Sequence, residues 1–179
     1  MKITYYIAYA LWYLLSLLPL WLLYFVSDLL FFPTYYLARY RRKIVRRNLT
    51  GSFPEKDLKE IVRIEKRFYH FFCDYIVETI KLFSMSEEQM KRRMVFKGVD
   101  HIVSAMEKED KNFCFVYLGH YCNWEWLSAT GLAFRQYPEA VMGLIYHPLY
   151  NDAFDRLFID IRSAQGGVCI PKKDILRYL

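Results

Sequence analysis

In the segment FVYLGHYCNWEW (Phe115–Trp126), a histidine and a glutamate, His120 and Glu125, follow a short apolar run and lie five positions apart. An imidazole and a carboxylate suffice for general-base catalysis. The carboxylate fixes the ring tautomer and stabilises the imidazolium, and the other ring nitrogen takes a proton. On one continuous helix, five residues rotate by roughly 500°, leaving the two side chains about 140° apart. The pair therefore requires His120 in a loop and Glu125 in the first turn of a helix, with Asn123 as its cap. No serine or cysteine stands in an obvious nucleophile setting, so the chemistry this pair suits is direct transfer. An acceptor hydroxyl attacks an activated acyl group while His120 removes its proton, and a backbone N–H or basic side chain holds the developing oxyanion. Cys122 offers a second option as a thiolate nucleophile beside His120. A zinc site from His120, Cys122 and Glu125 lacks a fourth nearby ligand. The bland alternative is a structural histidine beside an unrelated carboxylate.

Positioning such a pair calls for a strand that ends at Gly119 and a helix that begins after Asn123. Phe113–Leu118 is an apolar run of strand length, and Trp124 to about Arg135 reads as the helix. MVFKG (Met94–Gly98), AVMGLIY (Ala140–Tyr146) and VCI (Val168–Ile170) read as further strands. Ser86 opens SEEQ, a capping box for a short helix. Asp100 caps a helix to about Glu107. Asn151 opens DAFDRLFIDIRSAQ, which stops at Gly166 and Gly167. DILRYL reads as a further helix. Between Glu55 and Phe83, apolar residues at Leu58, Ile61, Phe68, Phe72, Tyr75, Ile76, Thr79 and Phe83 recur at helical spacing and predict a core-packing stripe. Strands alternating with helices after a helical lead-in predict an α/β domain with a mostly parallel sheet, incomplete at the carboxyl end.

The chain has 179 residues and a formal net charge of +6. Its apolar and aromatic richness excludes a disordered chain. The cysteines at 73, 114, 122 and 169 fit neither a CxxC zinc pair nor a disulfide scaffold, and read as free thiols. From Ile3 to Ser27 no residue is charged. As one helix that stretch would be roughly 37 Å long, enough for a hydrocarbon core of about 30 Å. Pro19 and Asp28 interrupt the run, so two shorter membrane-associated helices are the alternative. Arg39, Arg41, Arg42, Lys43, Arg46 and Arg47 follow at once, as expected beside anionic lipid headgroups on the cytoplasmic side. The resulting division is a membrane-anchoring segment at 1–38, a basic linker at 39–54 (GSFPE forming its closing turn) and an acyl-transfer domain at 55–179. No Gly-rich phosphate loop, metal set or cofactor motif occurs, and nothing suggests a nucleic-acid partner.

LGHYCNWEW resembles the H-x4-D/E block of the bacterial lipid A biosynthesis late acyltransferases, the lauroyl/myristoyl acyltransferase family within the lysophospholipid acyltransferase-like superfamily. RRKIVRRNLTGSFPE and FYHFFCDYIVE resemble the family's lead-in, and IYHPLYNDAFDRLFIDIRSAQGG resembles its later block. The resemblance implies a membrane enzyme that moves a fatty acyl chain from acyl carrier protein to a hydroxyl of a lipid A precursor at the bacterial inner membrane. It implies catalytic roles for His120 and Glu125. It places Arg162 at a basic position that binds substrate phosphate or stabilises the reaction, against the alternative of a solvated helix arginine. His147 departs from the pattern, since many members carry arginine before this proline. The family's later Asp-containing block does not occur before Leu179, so the chain resembles the amino-terminal part of a member. A lysophospholipid or aminoacyl lipid as acceptor, or an inactive truncated membrane scaffold, remain as rival readings.

Overall fold

The computed structural model describes residues 2–178. Among these residues seven α-helices and two strands occur in the order α1 (Lys2–Ser16), α2 (Leu20–Phe32), α3 (Arg42–Ser52), α4 (Leu58–Leu82), α5 (Glu87–Arg93), α6 (Val99–Lys108), β1 (Gly143–Tyr146), α7 (Asp152–Ser163) and β2 (Val168–Pro171). A π-helical turn, Pro33–Leu37, extends α2, and 3₁₀ segments cover Trp124–Phe134 and Ile175–Arg177. By contacts the chain forms two compact units, Leu18–Lys81 and Met1–Leu17 with Leu82–Leu179.

In the first unit, Pro19 ends the preceding helix and takes an extended conformation as the N-cap of α2. Pro33 has no N–H to give the helix ladder, and the winding loosens there. The Ala38 N–H reaches back five residues to the Pro33 carbonyl at 2.8 Å, the mark of a π turn. Leu20–Leu37 is the one helical stretch among the described residues that is long and apolar enough to cross a membrane, with a mean hydropathy of 1.3. It is polar along one stripe. Tyr24 donates to Glu78 at 2.8 Å, Ser27 to Asp74 at 2.6 Å and Tyr35 to Glu65 at 2.9 Å. Residue numbers rise on one partner as they fall on the other, so this stretch and α4 run antiparallel.

The buried stripe of α4 is Ile61, Glu65, Tyr69, Cys73 and Val77, one residue every fourth position. This corrects the sequence-based stripe, in which Leu58 and Phe68 were core; both are exposed. The reason is Glu65. Its carboxylate is drawn inward by hydrogen-bond donors, and it carries a polar residue into the middle of the buried face.

In the second unit, β1 and β2 pair in parallel with Gly143 opposite Val168 and Tyr146 opposite Pro171. Helix α7 makes the crossover, and Ala153, Leu157 and Ile161 form its buried edge. The fold class is α/β, as the sequence predicts, with a smaller sheet. Met94–Gly98 and Phe113–Leu118 are not strands. A strand needs a neighbour to complete its backbone hydrogen bonds, and neither segment lies in the ladder; Tyr117 is 91% exposed. Asn151 caps α7 by accepting from the N–H groups of Ala153 and Phe154. Ser86 and Gln89 form the predicted capping box. Asp100 is not the cap of α6. That place is held by Gly98 with φ of 83°, a left-handed value that glycine adopts without strain.

Candidate functional site

Glu125 is the second residue of the 3₁₀ segment Trp124–Phe134, where the sequence predicts an α-helix. Asn123 precedes this segment without making a side-chain cap. What docks the segment is small-residue packing. A Cβ on Gly131 would lie 3.2 Å from the backbone of Gly166, and one on Gly167 would lie 3.4 Å from the Ser128 carbonyl. Backbone cannot move aside as a side-chain tip can, so these glycines set how closely the segment meets the end of α7. Gly166 itself turns the chain out of α7 with φ of 90°.

That approach brings Glu125 against Arg162 in the last turn of α7. Arg162 donates from Nε to Glu125 Oε2 at 2.8 Å and from Nη2 to Oε1 at 2.7 Å. The Glu125 side chain is 2% exposed and that of Arg162 15%. A buried carboxylate needs such pairing, and the fork geometry of a guanidinium supplies two parallel charge-assisted bonds. The guanidinium lies over two aromatic rings, 5.6 Å from the Trp124 centroid and 5.2 Å from that of Phe158. Its place near the carboxyl end of α7 also suits a cation in the helix field. Ser128 donates to the Glu125 carbonyl at 2.8 Å, which tightens this first turn.

His120 lies in the exposed segment that precedes the 3₁₀ helix. Its ring meets the Trp124 ring edge-on, with centroids 4.7 Å apart. Among the described residues it makes no hydrogen bond to Glu125. Cys122, between them, has φ of 52° and is exposed. This left-handed residue turns the chain so that His120 sits outside Trp124 while Glu125 points inward. Of the residues the sequence singles out, the structure thus joins Glu125 to Arg162 and sets His120 one aromatic ring away. His147 is exposed, with Nδ1 2.9 Å from the Pro148 carbonyl oxygen.

Two contributors were not read from the sequence. Phe158 is the second ring beneath the Arg162 guanidinium; its sequence signal is the i, i+4 spacing to Arg162 on one helix. Cys169, on β2, lies 3.8 Å from the Ser163 hydroxyl. Burial pushes its thiol above the ordinary range, and nearby Glu125 adds to this while Ser163 and Arg162 oppose it.

The chain matches the family model described as bacterial lipid A biosynthesis acyltransferase over residues 1–179, and it belongs to that family. No curated protein and no solved structure matches it. Membership makes the His120–Glu125 segment a candidate active site of an acyltransferase.

Proposed function

We propose that this protein transfers a fatty acyl chain from acyl carrier protein to a hydroxyl of a lipid A precursor, with His120 as general base and Glu125 as its orienting partner. The observation that supports this reading is the state of the Glu125 carboxylate. Arg162 uses one lone pair on each oxygen, and an ionised carboxylate has about four such sites. Among the described residues no other donor takes the remaining sites, and on this reading an imidazole N–H takes one of them once the segment covering the buried carboxylate moves. A shift of the exposed 119–123 turn would bring His120 onto a carboxylate already fixed in direction. Arg162 on this reading braces Glu125, and its two engaged donors argue against a first role in binding substrate phosphate.

The acceptor hydroxyl attacks the thioester carbonyl as His120 takes its proton. The tetrahedral intermediate collapses, the carrier's thiol leaves, and the imidazolium returns the proton to it. Atoms and charge balance without a cofactor. We further propose that the segment at 1–38 anchors the chain in the inner membrane, that the basic stretch at 39–54 keeps residues 55–179 on the cytoplasmic side, and that the apolar stretch Leu20–Leu37 is the part that meets lipid. The low burial of that stretch, 17%, supports this.

The test is acyl transfer from acyl carrier protein to a hydroxyacylated lipid A precursor. His120→Ala should lower the rate by about 10²–10⁴-fold with circular dichroism unchanged. Glu125→Ala combined with His120→Ala should be little worse than His120→Ala alone, because residues acting as a unit are not additive. Near-normal turnover in folded His120→Ala would remove the mechanism. Faster transfer to a lysophospholipid or an aminoacyl lipid would reassign the acceptor.

A further inference from the structure

The six cations between Arg39 and Arg47 look equivalent in the sequence, but the structure sorts five of them. Arg46 is committed inward. It donates from Nε and Nη2 to Glu65, both at 2.8 Å. Arg42 is half-committed: it donates to the Tyr35 carbonyl at 3.3 Å, lies 3.9 Å from Glu65, and stacks over the Tyr35 ring. Arg39, Arg41 and Lys43 are exposed and have no carboxylate within ion-pair distance among the described residues. Arg39 donates to the Tyr36 carbonyl at 3.4 Å, and Arg41 lies over the Tyr40 ring.

These residues surround one hollow. A groove of about 410 Å³ is lined by Arg39, Arg41, Arg42, Lys43 and Ile44. Four of its five lining residues are cationic and none is acidic. It opens two residues beyond Leu37, the end of the apolar stretch that is long enough to cross a membrane. A cationic pocket at that position meets the headgroup layer when the apolar stretch lies in the hydrocarbon.

We propose that this groove is a binding site for the phosphate of an anionic phospholipid headgroup, with Arg39, Arg41 and Lys43 as its ligands and Arg42 held in place beneath them. The occupant is a lipid and not a free phosphate, because the groove adjoins the apolar stretch and carries Ile44 for acyl or glycerol contact. The site rests on the membrane attachment proposed above but goes beyond it: it assigns headgroup recognition to three named cations and excludes Arg46.

The experiment uses the full chain in a mild neutral detergent. Binding of phosphatidylglycerol and of phosphatidylcholine is counted by native mass spectrometry, with inorganic phosphate as competitor. Near an anionic surface each cation contributes about a fivefold factor, so Arg39→Gln/Arg41→Gln/Lys43→Gln should weaken phosphatidylglycerol binding by on the order of 100-fold. The same three positions changed to Lys, Lys and Arg should retain most of it. Arg92→Gln/Arg93→Gln/Lys97→Gln removes three exposed cations elsewhere and should change it by less than about twofold. Equal loss in that control would show a diffuse charge effect and overturn the site. So would equal binding of phosphatidylcholine, or displacement by millimolar inorganic phosphate. Attachment to vesicles of pure phosphatidylcholine is scored separately: failure there sinks the apolar anchor, whereas loss of headgroup preference alone sinks only this site.

Discussion

Glu65 and Glu125 are both buried carboxylates gripped by the two-pronged end of an arginine, yet their surroundings differ. Glu65 accepts from Arg46 twice, takes the Tyr35 hydroxyl as well, and has Arg42 at 3.9 Å. Its acceptor capacity is largely spent on its own unit. Among the described residues the Glu125 carboxylate accepts only from Arg162, and an exposed histidine stands one aromatic ring away. A saturated buried carboxylate holds helices together; one with unspent lone pairs beside a titratable ring has something left to do. The difference separates a structural ion pair from a candidate catalytic one without reference to hydrogen-bond distance or to burial of the carboxylate, which are nearly the same in the two.

The comparison breaks most visibly if each arginine is removed. Breaking a buried pair costs about 3–5 kcal/mol because the abandoned charge stays inside. Arg46→Ala should fall near the low end, since that side chain is 35% exposed. It should lower the urea midpoint while leaving transfer per folded molecule unchanged. Arg162→Ala should lower both. Reduced turnover in folded Arg46→Ala, or unaltered turnover in folded Arg162→Ala, would erase the distinction between the two centres.

A finer test keeps the charge. Arg162→Lys retains a cation but loses the fork. With one charge-assisted bond lost, worth about 1.5 kcal/mol, transfer should fall about tenfold. If Glu125 orients His120 as proposed, the rate–pH profile should also shift. A drop in rate with an unmoved profile and a raised KM would instead mark Arg162 as a substrate ligand.

The smallest effect comes from a third carboxylate, Asp160, which is held by a neutral donor. Tyr5 donates to Asp160 at 2.5 Å. That hydrogen bond, then burial and the aspartate charge, raise the phenol above its ordinary value. A raised folded-state value means the protonated phenol favours the folded form. The contribution is therefore complete below pH of about 10 and is lost as pH rises through the raised value. Tyr5→Phe should cost about 1 kcal/mol at pH 7, and the gap to the unaltered chain should close in alkaline unfolding curves. A gap that persists above that range would assign the loss to packing.

Local signals in the sequence were legible where a few neighbouring residues decide the outcome. Asn151 and Ser86 cap as read, Gly166 stops α7, and the α7 crossover between two parallel strands follows from alternation. The burial phase of α4 was not legible, because Glu65 sits among the buried positions and its donors come from Tyr35 and Arg46 on other helices. Nor was the partner of Glu125. Its proximity to His120 along the chain suggested a direct pair, whereas the carboxylate bonds to a residue 37 positions away, brought close by glycine packing that no periodicity displays. The strand read at Phe113–Leu118 failed for a related reason: its apolar pattern is suitable, but a strand is defined by a neighbour the pattern cannot supply.

The 3₁₀ winding of Trp124–Phe134 has a mechanical consequence. At about 2.0 Å per residue instead of 1.5, its eleven residues extend about 5.5 Å further than they would as an α-helix. The segment is a stretched screw thread with Glu125 near its tip and Gly131 in its shank. Rewinding one turn would retract and rotate the tip together, so length and aim at Glu125 are a single coordinate.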